Sequence, residues 1–506
     1  MYAKVYGETT VGLNGAVIIV EVDLARGLPG FDIVGLPDTA VKESRERVRT
    51  ALKNSNFPFP TNKITVNLAP ANLKKDGSGL DLPIAMGILV SSGLLPQEKI
   101  RNKIFIGELS LEGIIRGVAG VLPMVLEARN QGFPEVYIPE DNGDEGSLID
   151  KVQVYTPVSL KQLVAHLLKP QLQPLPRRVI STALTQAAPV DFAEVRGQLT
   201  VKRALEVAAA GGHNILLEGS PGSGKTMLAR RLPTILPPLT EDEALEVTKI
   251  YSIAGLLKQK GQIVGQRPFR SPHHTISVSA LIGGGSVPKP GEVTLSHNGV
   301  LFLDEFPEFS KAALEVLRQP LEDGEVTISR IQGTYTFPAQ EVLVAAMNPC
   351  KCGYAGSNGS HKCTCTPAEI DRYQHKISGP LLDRIDLQVH VPRVEYKDLC
   401  HKQPGESSAL IRARVCAARL LQQQRFRDLP IRCNAQMGHR EVEEYCQLDD
   451  SGMQLLERAF TALGLSARSY DRIIKVARTI ADLAASKEIR AEQVAEAIQL
   501  RTRNGV

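Results

Sequence analysis

Asn214-Ile215-Leu216-Leu217-Glu218-Gly219-Ser220-Pro221-Gly222-Ser223-Gly224-Lys225-Thr226 is the stretch that decides how this chain reads. The apolar run Ile215 to Leu217 predicts a buried strand. A glycine-rich turn follows, and Met227 to Leu232 predicts a short helix stopped by Pro233. The pattern is G-x-x-x-x-G-K-T between a strand and a helix, the setting in which it binds phosphates. Its glycines let successive N–H groups curl around a polyphosphate, and the helix N-terminus adds its positive end. Gly219, Ser220, Pro221, Gly222, Ser223 and Gly224 are the expected cradle. Lys225 is expected to reach the β- and γ-phosphates, and the Thr226 hydroxyl to ligate Mg²⁺.

The chain of 506 residues is long enough for about three domains. A hydrophobic content of 43% is that of ordinary soluble chains. The net charge of +4 neither demands nor excludes nucleic acid, so any basic surface has to be local. The first residues lack the apolar core of a signal peptide, and no run of ~18 apolar residues suggests a membrane span. Four of the eight cysteines fall within 350–365, which fits reduced thiols or a metal site better than a disulfide scaffold. A cytoplasmic protein without a membrane partner is expected.

Residues 1–168 predict a compact α+β domain. Gly15–Val22, Phe31–Leu36, Ile64–Leu68 and Glu135–Ile138 predict strands. Asp38 predicts the cap of a helix reaching about Asn54, with Val41, Val48 and Leu52 on one face. Leu82–Val90 and Val121–Asn130 predict further helices. Residues 169–190, rich in proline, predict an exposed linker.

The nucleotide-binding region is expected over 191–396. Gly299-Val300-Leu301-Phe302-Leu303-Asp304-Glu305 predicts a strand ending in two carboxylates. Asp304 is placed to hold Mg²⁺ and Glu305 to act as general base on the attacking water. Leu343 to Asn348 predicts another buried strand. Asn348 reads either as a group orienting that water or as a turn residue before Pro349. Val326–Arg330 and Tyr335–Phe337, around a turn at Gln332-Gly333, predict a β-hairpin. Cys350, Cys352, Cys363 and Cys365 could wrap one tetrahedral Zn²⁺, or stand as free thiols. Residues 397–506 predict an all-α bundle.

Two resemblances stand on these motifs. Lys75-Asp76-Gly77, with Ala128-Arg129 and Val136 to Asn142, resembles the proteolytic domain of Lon proteases. That family uses a Ser–Lys dyad, and the matching positions here are Gly79 and Leu122, so the resemblance implies the fold without the chemistry. Arg267 to Thr275, Gly283-Gly284-Gly285, Leu321 to Arg330 and Ala346 to Cys350 resemble magnesium-chelatase-type AAA+ ATPases. With the Lon-like part in front, the whole chain resembles the ComM/YifB family.

The fold implied is α/β: an AAA+ P-loop NTPase core with a Lon-like α+β N-terminal domain and a helical lid. The resemblance implies ATP and Mg²⁺, a ring, expected to be a hexamer, and a DNA motor promoting branch migration in natural transformation. Asn348 would be sensor 1, Arg384 the finger reaching the neighbouring subunit's γ-phosphate, and Arg468 sensor 2, with Arg472 as the alternative; Arg384 reads otherwise as a surface salt bridge to Asp383 or Asp386, and Arg468 as ordinary salt bridging within the lid. His273 and His274 would face the DNA in the ring, although paired histidines read equally as core hydrogen-bonders or a surface patch. Arg330 would press on DNA from its hairpin, or be a solvated arginine. An ATPase remodelling a protein partner competes with this reading. An ATP-dependent protease is disfavoured by Gly79 and Leu122.

Overall fold

The computed structural model describes residues 2–75, 77–178, 190–257, 263–285, 288–330, 333–356, 361–394, 405–463 and 466–501. Asp76, half of the expected linker (179–189), Gln332 of the hairpin turn and Cys400 lie outside them. The fold is mixed α/β with a helical C-terminal region. Contacts gather the chain into two compact units. One comprises Met1–Ser181 with Glu241–Gly265 and Ser329–Tyr335. The other comprises Thr182–Thr240, Gln266–Ile328 and Thr336–Val506.

The first unit is built on seven strands: β1 (Tyr2–Val11), β2 (Asn14–Ala25), β3 (Gly30–Val34), β4 (Lys63–Ala69), β5 (Lys103–Phe105), β6 (Glu135–Tyr137) and β7 (Gln153–Tyr155). Their order is β3-β4-β2-β1-β5-β6-β7. β1 and β2 form an antiparallel pair from Tyr2↔Asp23 to Val11↔Asn14, while β5, β6 and β7 run parallel. Alternation sends Val5, Ile18, Val20, Val22, Val66 and Leu68 into the core. Asp38 caps the helix Thr39–Asn54 by accepting from Val41 N at 2.7 Å, and Val41, Val48 and Leu52 are buried, as the spacing predicts.

In this unit Leu122 is core, 1% exposed, and Gly79 carries no nucleophile. The Ser78 hydroxyl donates to the Glu108 carboxylate rather than to a lysine, and the Lys75 amine is buried against the Pro70 carbonyl. The helix Glu241–Ile253, which follows the phosphate loop in sequence, belongs to this unit. Its Ser252 donates to Glu145 at 2.6 Å, and Gly120 N donates to the Ser252 carbonyl at 3.0 Å.

The second unit holds five parallel strands: β8 (Ile215–Glu218), β9 (Phe269–Arg270), β10 (Val300–Leu303), β11 (Val342–Met347) and β12 (Leu387–His390). Their order is β9-β10-β11-β8-β12. β8, β10 and β11 are near-continuous apolar runs because helices cover both faces of such a sheet. The helix Leu199–Gly211 closes on Gly212, whose φ of +72° is the left-handed conformation a C-terminal cap needs. Pro233 does not stop the helix after the phosphate loop. That helix covers only Lys225–Ala229, and Pro233 opens a second one, Leu232–Ile235, where its missing N–H costs nothing.

Helices Ser408–Arg425, His439–Tyr445, Asp450–Leu463, Ala467–Leu483 and Ala491–Gln499 complete the C-terminal region. No helix among the described residues is long and apolar enough to cross a membrane.

Candidate active site

Register brings the site together. Leu217 pairs with Ala346 across β8 and β11, and Phe302 with Val344 across β10 and β11. The parallel strands therefore end side by side, and the loops that leave them share one edge of the sheet, where open α/β sheets bind ligands. Those loops carry Gly219–Thr226, Asp304-Glu305 and Asn348.

The phosphate loop is shaped by its glycines. Gly222 and Gly224 have φ of +76° and +92°, which side-chain-bearing residues rarely adopt. A Cβ on Gly219 would stand 2.5 Å from the Val391 carbonyl. The Lys225 ammonium folds back into the loop and donates to the carbonyls of Gly219 at 2.6 Å and Ser220 at 3.1 Å. It also donates to Asn348 Oδ1 at 3.1 Å. Burial lowers its pKa, with Asp304 and Glu218 opposing. The Ser223 hydroxyl is buried without a hydrogen-bond partner. A buried cation resting on carbonyls and an orphaned hydroxyl suit a phosphate that takes over these bonds.

Thr226 Oγ1 donates to Asp304 Oδ2 at 2.7 Å. This hydroxyl–carboxylate pair is an oxygen donor set suited to Mg²⁺, which takes one or two protein ligands and keeps its waters. Glu305 follows in a left-handed conformation, φ +52° and ψ +44°, a strained backbone of the kind found at functional sites. Its N–H donates to Asp304 Oδ1 at 2.9 Å. Its carboxylate meets His274 Nδ1 at 3.0 Å. The His273 ring lies 4.1 Å from that of His274, centroid to centroid, and its Nδ1 meets the Thr275 hydroxyl at 2.9 Å. The sequence offered no signal for the His274–Glu305 pairing, which joins two loops distant in the chain.

Arg384 and Arg468 meet each other's neighbourhood rather than the phosphate loop. Arg384 is 6% exposed and pairs with Glu322, whose other carboxylate oxygen lies 3.0 Å from Arg468 Nη2. Burial, then the nearby Arg468, Arg318 and Arg472, push the Arg384 pKa down. Arg384 and Glu322 line a cavity of about 410 Å³ with Glu315, Arg318, Gln319 and Asp323. Arg472 is committed elsewhere, in an ion pair with the buried carboxylate of Asp386. Arg330 ends the strand Glu325–Arg330, which pairs with Gly333–Pro338. It is exposed, and its guanidinium bonds the Ser329 carbonyl at 3.2 Å.

Cys350, Cys352, Cys363 and Cys365 converge, all four sulfurs lying within 4.8 Å of one another. Cys350 Sγ is 3.3 Å from Cys352 Sγ and 3.8 Å from Cys363 Sγ, too far for a disulfide. A tetrahedral zinc with ~2.3 Å bonds sets sulfurs about 3.8 Å apart, so the donor set fits. N–H groups of Thr364 and Tyr354 donated to its sulfur lower the Cys352 pKa to about 5, while burial and the neighbouring Cys352 and Cys350 sulfurs raise Cys363 and Cys365.

Comparison with known proteins agrees with this architecture. The family described as magnesium chelatase, subunit ChlI, matches residues 191–399. Models of subunit ChlI and of its C-terminal part match 20–142 and 405–501. The competence protein ComM of Haemophilus influenzae is 43% identical over 505 residues, covering 99% of this chain and 97% of the relative. YifB of Salmonella typhimurium is 43% identical over 502 residues, with the same coverage of 99% and 97%. A Lon protease of Mycolicibacterium smegmatis is 24% identical over 176 residues, 32% of this chain and 22% of that protein. With full-length identity of this order, and with a phosphate loop, paired carboxylates and Asn348 gathered at one sheet edge, the chain belongs to the ComM/YifB family of magnesium-chelatase-like AAA+ ATPases.

Proposed function

We propose that the chain is a ring-forming ATPase that drives DNA branch migration, acting when incoming single strands are integrated in natural transformation. The observation that carries the catalytic part is the interlock of Lys225 with Asn348 and of Thr226 with Asp304, which puts cation, amide, hydroxyl and carboxylate at one sheet edge. Lys225 and the loop N–H groups bind the phosphates, and Thr226 with Asp304 would hold Mg²⁺. That ion supplies neutralisation of phosphate charge. Glu305 takes a proton from the attacking water as the bond to the γ-phosphate forms and ADP leaves. Asn348 orients that water. Arg384 exchanges Glu322 for the γ-phosphate of the adjacent subunit when the ring assembles, and a finger of this kind is worth roughly 10³–10⁵ in rate. Arg468, half-exposed beside the same glutamate, serves as the lid's contact to nucleotide.

The DNA part is supported by the competence protein to which the chain is similar along 99% of its length. Arg330 on its exposed hairpin and the histidine pair are the candidate contacts, gripping phosphates rather than reading bases. The cysteine cluster would hold a structural Zn²⁺. The chelatase description of the family models supports the second reading, an ATPase that remodels a protein partner. ATP hydrolysis measured with and without forked or four-way DNA separates the two. Stimulation by branched DNA that fades with salt supports the motor. A rate indifferent to DNA favours protein remodelling.

A further inference from the structure

The cysteine cluster abuts the nucleotide site through several contacts. Cys350 lies two residues beyond Asn348, which accepts from Lys225. Gly353, between the two cysteine pairs, runs so close to the phosphate loop that a Cβ there would stand 2.6 Å from Pro221 Cγ and Cδ and 3.9 Å from Asn348 Cγ. Its φ of +88° is a glycine conformation. The next residue, Tyr354, places its ring 5.4 Å from the guanidinium of Arg393, and Arg393 Nε donates to Ser220 Oγ at 3.0 Å. Backbone and ring of this one loop thus bear on Ser220, Pro221 and Asn348.

Among its described residues the loop has little apolar content to hold that shape. Cys350 is its buried apolar anchor, and Cys352, Cys363 and Cys365 are only partly covered. Two of its backbone bonds close on Cys350: Gly353 N donates to the Cys350 carbonyl at 3.0 Å, and Ala355 N to Cys350 Sγ at 3.3 Å. Cys350, one of the four clustered cysteines, therefore anchors Gly353, while Tyr354 rests between Arg393 and the His361 ring, 5.2 Å away.

We propose that Zn²⁺ in the four-thiolate site is a buttress of the phosphate loop, so that metal occupancy sets nucleotide affinity. The inference rests on Gly219–Thr226 being an ATP site. Metal binding fixes a loop whose order is otherwise lost, and its loss frees Pro221 and Arg393 to move. Tyr354 is a positioning residue, acting through Arg393 and Ser220.

The test uses the full chain, purified under reductant. Zinc is measured by elemental analysis and nucleotide affinity by titrating a fluorescent ATP analogue in Mg²⁺. The native chain should carry about one zinc. Stripping it with a chelator, then removing the chelator, should weaken the analogue roughly tenfold, the lower end of losses when supporting shells are removed. Zn²⁺ alone should restore it. Tyr354→Ala should keep its zinc and melt like the native chain, yet bind weakly with or without metal. A chain without metal, or a stripped chain that binds as the native one does, overturns the proposal. A zinc-loaded native chain that binds no nucleotide overturns the ATP reading itself, and the buttress with it.

Discussion

His274 Nδ1 lies 3.0 Å from a carboxylate oxygen of Glu305, the residue that follows the Mg²⁺-suited Asp304. Glu305 is more than half exposed and its backbone is in the left-handed region, so little besides this imidazole and the backbone itself aims the carboxylate. His274→Ala should therefore lower kcat about ten- to a hundredfold by letting the base drift, while nucleotide affinity stays put. Steady-state kinetics beside an analogue titration would check this. An unchanged kcat with weakened DNA binding would return His274 to the DNA-contact role that its sequence context implies.

Glu305→Gln should bind ATP and fail to turn it over, because the amide cannot take the proton while Asp304 and Thr226 are untouched. The expected loss is ~10²–10⁴ in kcat. Hydrolysis at the native rate would remove Glu305 from the mechanism.

Asp386 is a stability prediction rather than a catalytic one. Its carboxylate is enclosed by Arg472, by His213 Nδ1 at 3.3 Å and by the Asn214 N–H at 3.2 Å. Burial alone would raise its pKa, but Arg472 and His213 outweigh it and hold the carboxyl below its ordinary value. Such a group contributes stability above the unfolded value of ~3.9, lost as pH falls through the folded value. Asp386→Asn should cost about 3–5 kcal/mol at neutral pH, by leaving Arg472 unpaired, and should flatten the acid side of the stability profile. Urea titrations at neutral and acid pH measure both effects.

What the sequence made legible was local. The phosphate loop, the two buried strands with their terminal acids and amide, and the Asp38 cap are each short contiguous patterns. β1 gives a weak strand signal because its second half, Gly7-Glu8-Thr9-Thr10, has no apolar side chain although Glu8 and Thr9 are buried, and its pairing with β2 is visible only in three dimensions. Pro233 was misread because a proline before Thr234-Ile235 can open a helix as readily as end one. The Arg384–Glu322–Arg468 cluster joins residues 62 and 146 positions apart, and no linear pattern announces which acid holds an arginine. Likewise nothing in the helix Glu241–Ile253 says that it belongs with the first unit.

The Lon-like part should be inert as a protease. Leu122 sits in the core where the dyad needs a lysine, Gly79 has no nucleophile, and the nearby Lys75 amine is taken up by the Pro70 carbonyl. The full chain should leave casein and fluorogenic peptides intact, with or without ATP. Cleavage abolished by Ser78→Ala would contradict this.

The most direct measurement is ATP-dependent conversion of a labelled four-way or three-strand DNA substrate by the purified full chain. The account predicts conversion that needs hydrolysable ATP, falls with salt, and disappears in Lys225→Ala, whose ammonium no longer holds the phosphates. No conversion by an ATPase whose rate is indifferent to every form of DNA would contradict it.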